Sequence, residues 1–341
     1  TDTDMLLVPD PKTLRKVPWA REPTAQILAD CYKASGEPHP LASRNVLKHI
    51  IKLYAEAGLR AEVAPEVEFF LVHKNTDPDY ELMPPKGRSG RREVARMSFS
   101  IDAVAEFEDF VEDMYDFADE QALSVDTLIH ENGAAQLEIN FNHGDPLDMA
   151  DQVFVFKRTV RETAQRHNMY ATFMAKPMQK EPGSALHIHQ SILSLATGDN
   201  IFNGADDQPT PELMHYIAGL QRYTPDLISF YAPNVNSYRR LAPDISAPIN
   251  LSWGYDNRTT AFRVPDSTPI NRRVENRFPG ADANPYLAIA ASLASGLLGL
   301  EHKLQPTAPH QGTANDERVE GARSLEEAVR RLNANTDLAR G

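Results

Sequence analysis

The chain has 341 residues, 41% of them hydrophobic, with 48 acidic against 35 basic side chains and a formal net charge of −13. That length can bury a sizeable core and fill about two domains of roughly 150 residues, while the acidic balance argues against nucleic acid or an anionic membrane surface as the main partner, because both require a basic footprint. A single cysteine, Cys31, excludes an internal disulfide and a cysteine-rich zinc site, suits a reducing cytoplasm, and reads as an inert core residue.

In chain order, residues 1–20 begin Thr-Asp-Thr-Asp, with no signal-peptide pattern and no initiator Met, so a longer parent chain is expected. Residues 41–57 carry apolar side chains at helical spacing and end at Gly58. Residues 61–73 read as a strand, and 76–99, rich in Pro, Gly and Arg, as a surface loop. An acidic amphipathic helix is expected over 102–121, then strands over 125–142 broken at Gly133, then a helix over 147–168. Strands at 170–176 and 185–195 follow, with helices at 211–230, 283–302 and 323–335. Short strands are expected at 248–254, 260–264 and 272–277. The Ala-, Ser- and Gly-rich stretch Tyr286–Leu300 is shorter than the ~20 residues a membrane span takes and reads as a buried helix. Strands and helices are not evenly interleaved, so the fold class is α+β with a largely antiparallel sheet flanked by helices.

No phosphate-binding loop of the G-x-x-x-x-G-K-[ST] kind, no G-x-G-x-x-G turn and no G-x-S-x-G elbow is present. The informative feature is charge at i, i+2 spacing inside apolar strands, where side chains two apart share a face. EVEFF places Glu66 and Glu68 on one face; ALHIHQ does the same for His187 and His189; QLEIN for Gln136, Glu138 and Asn140; RRVENR for Arg273, Glu275 and Arg277. Glu131 precedes Glu138 across a Gly-containing bend. One such pair is ordinary on a solvated strand face. Four of them, bearing only carboxylate, imidazole, amide and guanidinium, are not. Neighbouring carboxylates repel, and burying them requires positive charge between them. Glu66, Glu68, Glu131, Glu138, Glu275 and His187 form a mostly oxygen donor set suited to Mg²⁺ or Mn²⁺, and six donors exceed what one such ion takes from protein, so two or more are expected. Arg240, Arg258, Arg263, Arg273 and Arg277 then suit phosphate and carboxylate groups. Metals with arginine clamps and no Walker loop point to phosphoryl transfer on another scaffold.

These residues resemble the glutamine synthetase family. The resemblance runs in colinear blocks: EVEFF (66–70), HENGAAQLEINF (130–141), KPMQKEPGSALHIHQS (176–191), NVNSYRRLAPDISAPINLSWGYDNRTTAFRVP (234–265) and NRRVENRFPGADANPYLAIAASLASGL (271–297). It implies a glutamine synthetase-like catalytic domain over 1–341, with a curved sheet, residues 1–20 as a junction segment, and a preceding β-grasp domain not contained in the chain. It implies one metal site of Glu68, Glu131 and Glu138 and another of Glu66, His187 and Glu275. Nucleotide contacts would fall on His189, Ser191, Arg258, Arg263 and Arg273, and glutamate contacts on Gly183, Arg240 and Arg277. ATP would phosphorylate the glutamate γ-carboxylate, arginines would neutralise the developing charge, and an amine would displace phosphate. A ring homo-oligomer, a dodecamer, is the expected assembly.

Two departures bear on the amine. The flap between R-L and A-P reads Pro243-Asp244-Ile245-Ser246-Ala247-Pro248, so Ser246 stands where ammonia-using members carry a Glu. Pro182 stands where the family has a glutamate-binding Asn. These departures resemble the γ-glutamylpolyamine branch, which implies putrescine or a related amine as acceptor. Arg258, Arg240 and Ser246 are the positions expected nearest the reaction, and Asp244 and Glu181 are the candidates for taking the amine's proton. Ammonia-dependent glutamine synthesis, and a non-catalytic assembly role on the same fold, are the alternatives.

Overall fold

The computed structural model describes residues 4–77, 79–94, 96–242, 247–314 and 321–335. Ser246 and Asp244 therefore lie outside the described residues. The chain opens with four short strands, β1 (Met5–Pro9), β2 (Arg15–Lys16), β3 (Ala25–Gln26) and β4 (Ala29–Lys33), paired antiparallel as β1–β4 and β2–β3. There follow α1 (Ser43–Glu56), β5 (Leu59–His73), α2 (Ile101–Ala105), α3 (Glu108–Glu120), β6 (Val125–His130), β7 (Gln136–Phe141), α4 (Pro146–Arg166), β8 (Met169–Thr172) and β9 (Leu186–Ser194). The last third contains α5 (Pro211–Tyr231), α6 (Ser237–Arg240), β10 (Trp253–Tyr255), β11 (Phe262–Val264), β12 (Val274–Asn276), α7 (Pro285–Glu301) and α8 (Leu325–Ala334).

Eight strands form the main sheet in the order β10-β11-β12-β9-β5-β7-β6, with β8 also on β5, and every pairing is antiparallel except β10–β11. Period-two alternation decides what each face carries. Val67, Phe69 and Leu71 of β5, Leu137 and Ile139 of β7, and Leu186, Ile188 and Ile192 of β9 are completely buried in the main core. The alternate residues, Glu66 and Glu68, Glu138 and Asn140, His187 and His189, are left on the opposite face.

Helices α1, α4, α5 and α7 cover the apolar face. The largely apolar α7 is mostly buried, as expected for a core helix, and no helix among the described residues is long and apolar enough to cross a membrane. Its close crossing with α5 depends on glycine: a Cβ on Gly299 would meet the His215 carbonyl at 2.3 Å.

Some expectations are corrected. The helix over 102–121 is two helices, because the Glu106 carbonyl accepts from Arg88 N of the loop and its carboxylate from Ser89 N, which takes this turn out of the helical ladder. The three strands of 232–280 are shorter than expected. Here side chains replace ladder partners: Asn250 donates to the carbonyls of Thr259 and Ala314, and its Oδ1 accepts from Ser252 N. Cys31 on β4 is half-buried, not a core residue, whereas Trp253 is buried with Nε1 donating to Thr307 O.

Candidate active site

Strand register brings the polar face together. Across β5 and β7, Glu68 pairs with Glu138 and Glu66 with Asn140. Across β5 and β9, Glu66 pairs with His187; across β9 and β12, His189 pairs with Glu275; across β12 and β11, Glu275 pairs with Arg263. Donor atoms of Glu68, Glu131 and Glu138 lie within 4.8 Å of one another, the trio that the resemblance implies for one metal. The other predicted trio is arranged differently in part. His187 Nδ1 is 3.2 Å from Glu66 and 3.5 Å from Glu275, but the mutually close groups are Glu66–Glu138–His187 and Glu66–His189–Glu275. His189, expected beside nucleotide, also stands 2.7 Å from Glu66.

The electrostatics divide the carboxylates. Burial pushes Glu68 up to about 8, with the Glu131 charge adding to it. Burial also raises Glu131, and drives Glu138 well above the usual range with the help of Glu66, Glu68, Glu131 and Glu275. Burial opposes ionisation of Glu275 too, but the Arg277 guanidinium at 2.5 Å and the two imidazoles pull it down to about 2. At Glu66, His189 and His187 likewise overcome burial and hold the carboxyl well below its ordinary value. Burial and Arg277 bring His187 down to about 4, so its ring is neutral at pH 7, the form that binds metals. Such a donor set cannot be fully ionised without added positive charge, which is how a divalent-cation site behaves when no cation offsets its repulsion.

The arginines fall into two groups. Arg263 bonds Glu275 at 2.9 Å and Asp256 at 2.7 Å, and Arg273 Nε donates to His189 Nδ1. Arg240 is 3% exposed; Nη1 donates to Phe278 O and Nη2 to Arg277 O. Among the described residues it forms no salt bridge, and burial lowers it to about 10 with Glu68 pulling the other way. Gly183 abuts it: a Cβ there would lie 2.7 Å from Arg240 Cγ and from Ala175 O. Arg258 is exposed, although its charge reaches Glu131. A cleft of about 1,140 Å³ opens beside the acidic face and is lined by Glu66, His189, Ser191, Thr268, Asn271 and Arg273. It takes in three of the residues expected at nucleotide and leaves Arg263 and Arg258 outside its lining.

Other side chains support these groups. Gln136 donates to Glu68 and to Gly183 O. The turn bearing Glu131 is held from two sides: Glu93 accepts from Ala135 N and lies 3.0 Å from His130, and Glu181 accepts from Ala134 N. Glu181 thus serves the backbone of this turn. Glu93 lies in the segment read as a surface loop, and nothing in its local pattern distinguishes it from the other acids.

The family profile for "Glutamine synthetase, catalytic domain" matches residues 40–341. A glutamate–isopropylamine ligase of a Pseudomonas species is 37% identical over 96% of this chain and 72% of its own length. The gamma-glutamylputrescine synthetase PuuA of Escherichia coli K12 is 38% identical over 82% of the chain and 59% of its own length. A glutamine synthetase of Pyrococcus abyssi is 36% identical over 90% and 66% respectively. The chain thus spans about two thirds of the length of the curated relatives it matches. Among solved structures, apo GmaS without ligand and a GmaS/ADP complex both superpose with a TM-score of 0.86 at 30% identity, covering 99% of this chain and 78% of theirs. With the sheet order, the acidic face and these matches together, the chain belongs to the glutamine synthetase family of ligases and carries its catalytic domain.

Proposed function

We propose that this protein joins the γ-carboxylate of glutamate to a primary alkylamine of the putrescine class at the expense of ATP. The observation that carries the reading is a buried guanidinium, Arg240, that forms no salt bridge among the described residues and stands behind five clustered carboxylates. The first calls for an anionic substrate and the second for divalent cations. Glu68, Glu131 and Glu138 would hold one Mg²⁺ or Mn²⁺, and Glu66, His187 and Glu275 a second. When bound, these ions would offset the charge of the phosphates and of the attacking carboxylate.

The side chains have separable tasks in this scheme. Arg240, with Gly183 and Arg277, orients glutamate; His189, Ser191, Arg263 and Arg273 face the nucleotide; Arg258 stabilises charge on the transferring phosphoryl group. The γ-carboxylate attacks the γ-phosphorus of ATP, and ADP leaves. The amine, whose ordinary pKa is near ~10.4, loses a proton, attacks the acyl carbon and expels phosphate. Ser246 supports an amine larger than ammonia, because a neutral hydroxyl does not attract ammonium as the family's Glu does and leaves more room, while Pro182 removes one side-chain contact with glutamate. Similarity to ligases named for putrescine and isopropylamine supports the same choice. Domain 1–341 as one catalytic unit, with ring assembly of the intact protein, belongs to this reading.

The test is phosphate release from ATP by the full-length protein with glutamate, Mg²⁺ and a panel of ammonium, putrescine, spermidine, isopropylamine and ethanolamine. Stimulation by alkylamines with little by ammonium supports the reading. Stimulation by ammonium alone favours the glutamine synthetase alternative. Ser246→Glu is expected to shift turnover from diamine toward ammonium, and unchanged diamine turnover would remove the argument from the flap.

A further inference from the structure

Behind the site, the segment 277–284 is gripped from several directions. The carbonyls of Arg277 and Phe278 accept from Arg240, the Pro279 carbonyl accepts from Leu186 N, and Ala281 N donates to Ser184 O. Deeper in, Lys157 of α4 is buried, and its Nζ donates to the carbonyls of Ala281 at 2.6 Å and Ala283 at 3.1 Å. No carboxylate among the described residues forms a salt bridge with it, so this buried amine is spent on holding two backbone carbonyls. Between those carbonyls stands Asp282. Its Oδ2 accepts from Ser237 Oγ at 2.6 Å and Asn234 Nδ2 at 2.9 Å. Ser237 opens α6, and Arg240 closes it.

We propose that Lys157 is a positioning residue for glutamate: by clamping the backbone on both sides of Asp282 it fixes the carboxylate that anchors α6 and thereby aims Arg240. The inference rests on the reading that Arg240 receives the substrate carboxylate. Its geometry has few degrees of freedom. A four-residue helix has little stability of its own, so its orientation depends on its anchors. The Asp282 bonds hold its first residue, and the two carbonyl bonds of Arg240 hold its last. Both anchors belong to the same 277–284 segment, and Lys157 ties that segment to a long helix of the core. A misplacement of the guanidinium by a fraction of an ångström weakens substrate orientation without touching nucleotide.

The test is steady-state kinetics of the full-length protein with glutamate and ATP varied in turn, in Lys157→Met, Asp282→Asn, Ser237→Ala and the control Arg240→Lys. Glutamate KM is expected to rise ~10-fold in Lys157→Met and Asp282→Asn and less in Ser237→Ala, with ATP KM within about twofold of the parent. The Lys157→Met/Asp282→Asn double variant is expected to be no worse than the worse single, because both break one chain of contacts. If Lys157→Met does not fold, Asp282→Asn and Ser237→Ala decide. A glutamate KM unchanged in these variants, or glutamate and ATP KM rising together, overturns the proposal. Arg240→Lys separates the two layers: if it raises glutamate KM while the others do not, only the role of Lys157 falls. If it leaves glutamate KM unchanged, the reading of Arg240 falls and takes this proposal with it.

Discussion

Two buried arginines in this molecule have opposite surroundings. Arg44 of α1 makes a bidentate pair with Asp151 of α4, at 2.9 and 2.8 Å, and reaches Asp30 at 2.6 Å and Asp10 at 2.8 Å. Burial works against its charge, yet the bonds to Asp151, Asp10 and Asp30 raise its pKa above the ordinary value. Arg240 is as deeply buried, bonds only carbonyl oxygens among the described residues, and is lowered. The first arginine is complete within the fold: it ties the β1–β4 ribbon to α1 and α4. The second carries a desolvation cost that the described residues do not offset. Burial alone does not mark a functional charge; an absent counter-ion does.

Exchanging each arginine for methionine gives the largest effects and the most direct way to break the comparison. Arg44→Met leaves three carboxylates with Lys48 as the one cation paired to them among the described residues, and is expected to cost about 3–5 kcal/mol of stability. Glutamate KM in the surviving folded protein stays near the parent value. Arg240→Met is expected to lower kcat/KM for glutamate at least ~100-fold, while its melting temperature falls far less than that of Arg44→Met. Denaturant melts and glutamate saturation curves of both variants check this. A stability loss at Arg240 as large as that at Arg44 would show that both are structural.

The acidic face extends the contrast to charges of the other sign. Glu138 is raised by burial and by four neighbouring carboxylates. Glu138→Gln removes a carboxyl whose ionisation burial and its neighbours oppose, so the metal-free protein is expected to melt higher, while Mg²⁺ affinity falls more than ~10-fold. Titration of Mg²⁺ against melting temperature reads both effects at once. The pH dependence follows from the same cause. A carboxyl with a raised pKa holds its proton until the pH passes that value, and Mg²⁺ must displace it. Affinity is therefore expected to increase as pH rises through about 8, the value for Glu68. His187, lowered to about 4, is already neutral across that window and adds no slope. Isothermal titration at several pH values checks the sign; affinity that falls with rising pH would contradict the assignment of the site.

The acidic face was legible in the sequence because parity on a strand is local information. EVEFF and LHIHQ say which side chains travel together, and the register then made Glu68–Glu138 and Glu66–His187 neighbours. The resemblance supplied what parity could not, an expected division into two metal sites, and in the structure His189 also stands against Glu66. What remained hidden depends on long-range contact. Arg44 and Arg240 are indistinguishable as letters, since only the fold brings Asp10, Asp30 and Asp151 to one of them. Lys157 lies in an amphipathic helical run like any other lysine, and Glu93 in a Pro- and Gly-rich loop. The break in the helix over 102–121 was invisible for the same reason: its cause is Arg88 N, which comes from another segment.

The smallest effect is expected inside the Arg44 network, and it separates two ways in which such a network can hold. Its three carboxylates face two cations, Arg44 and Lys48. One negative charge is therefore in surplus, and the carboxylates are not equivalent. Asp151 is 3% exposed in its side chain and also accepts from Tyr286 Oη at 2.7 Å. Asp10 is 21% exposed and makes one bond to Arg44, which holds its carboxyl below the ordinary value. Asp10→Asn keeps the shape and removes the surplus charge, so it is expected to cost ~1 kcal/mol or less, a fall of roughly 2–4 °C at most in melting temperature for a chain of this size. Because the folded pKa lies below the unfolded one, this contribution is present above the ordinary carboxyl value and lost as pH falls below it. Parent and variant should thus converge in stability in acid. If Asp10→Asn costs as much as Arg44→Met, the network holds only as a whole. A small cost shows instead that Arg44 is satisfied by Asp151 and Asp30 alone, and that two well-placed carboxylates suffice for a buried guanidinium. A single substrate molecule bearing a carboxylate, set beside Glu68, would bring Arg240 to that same condition.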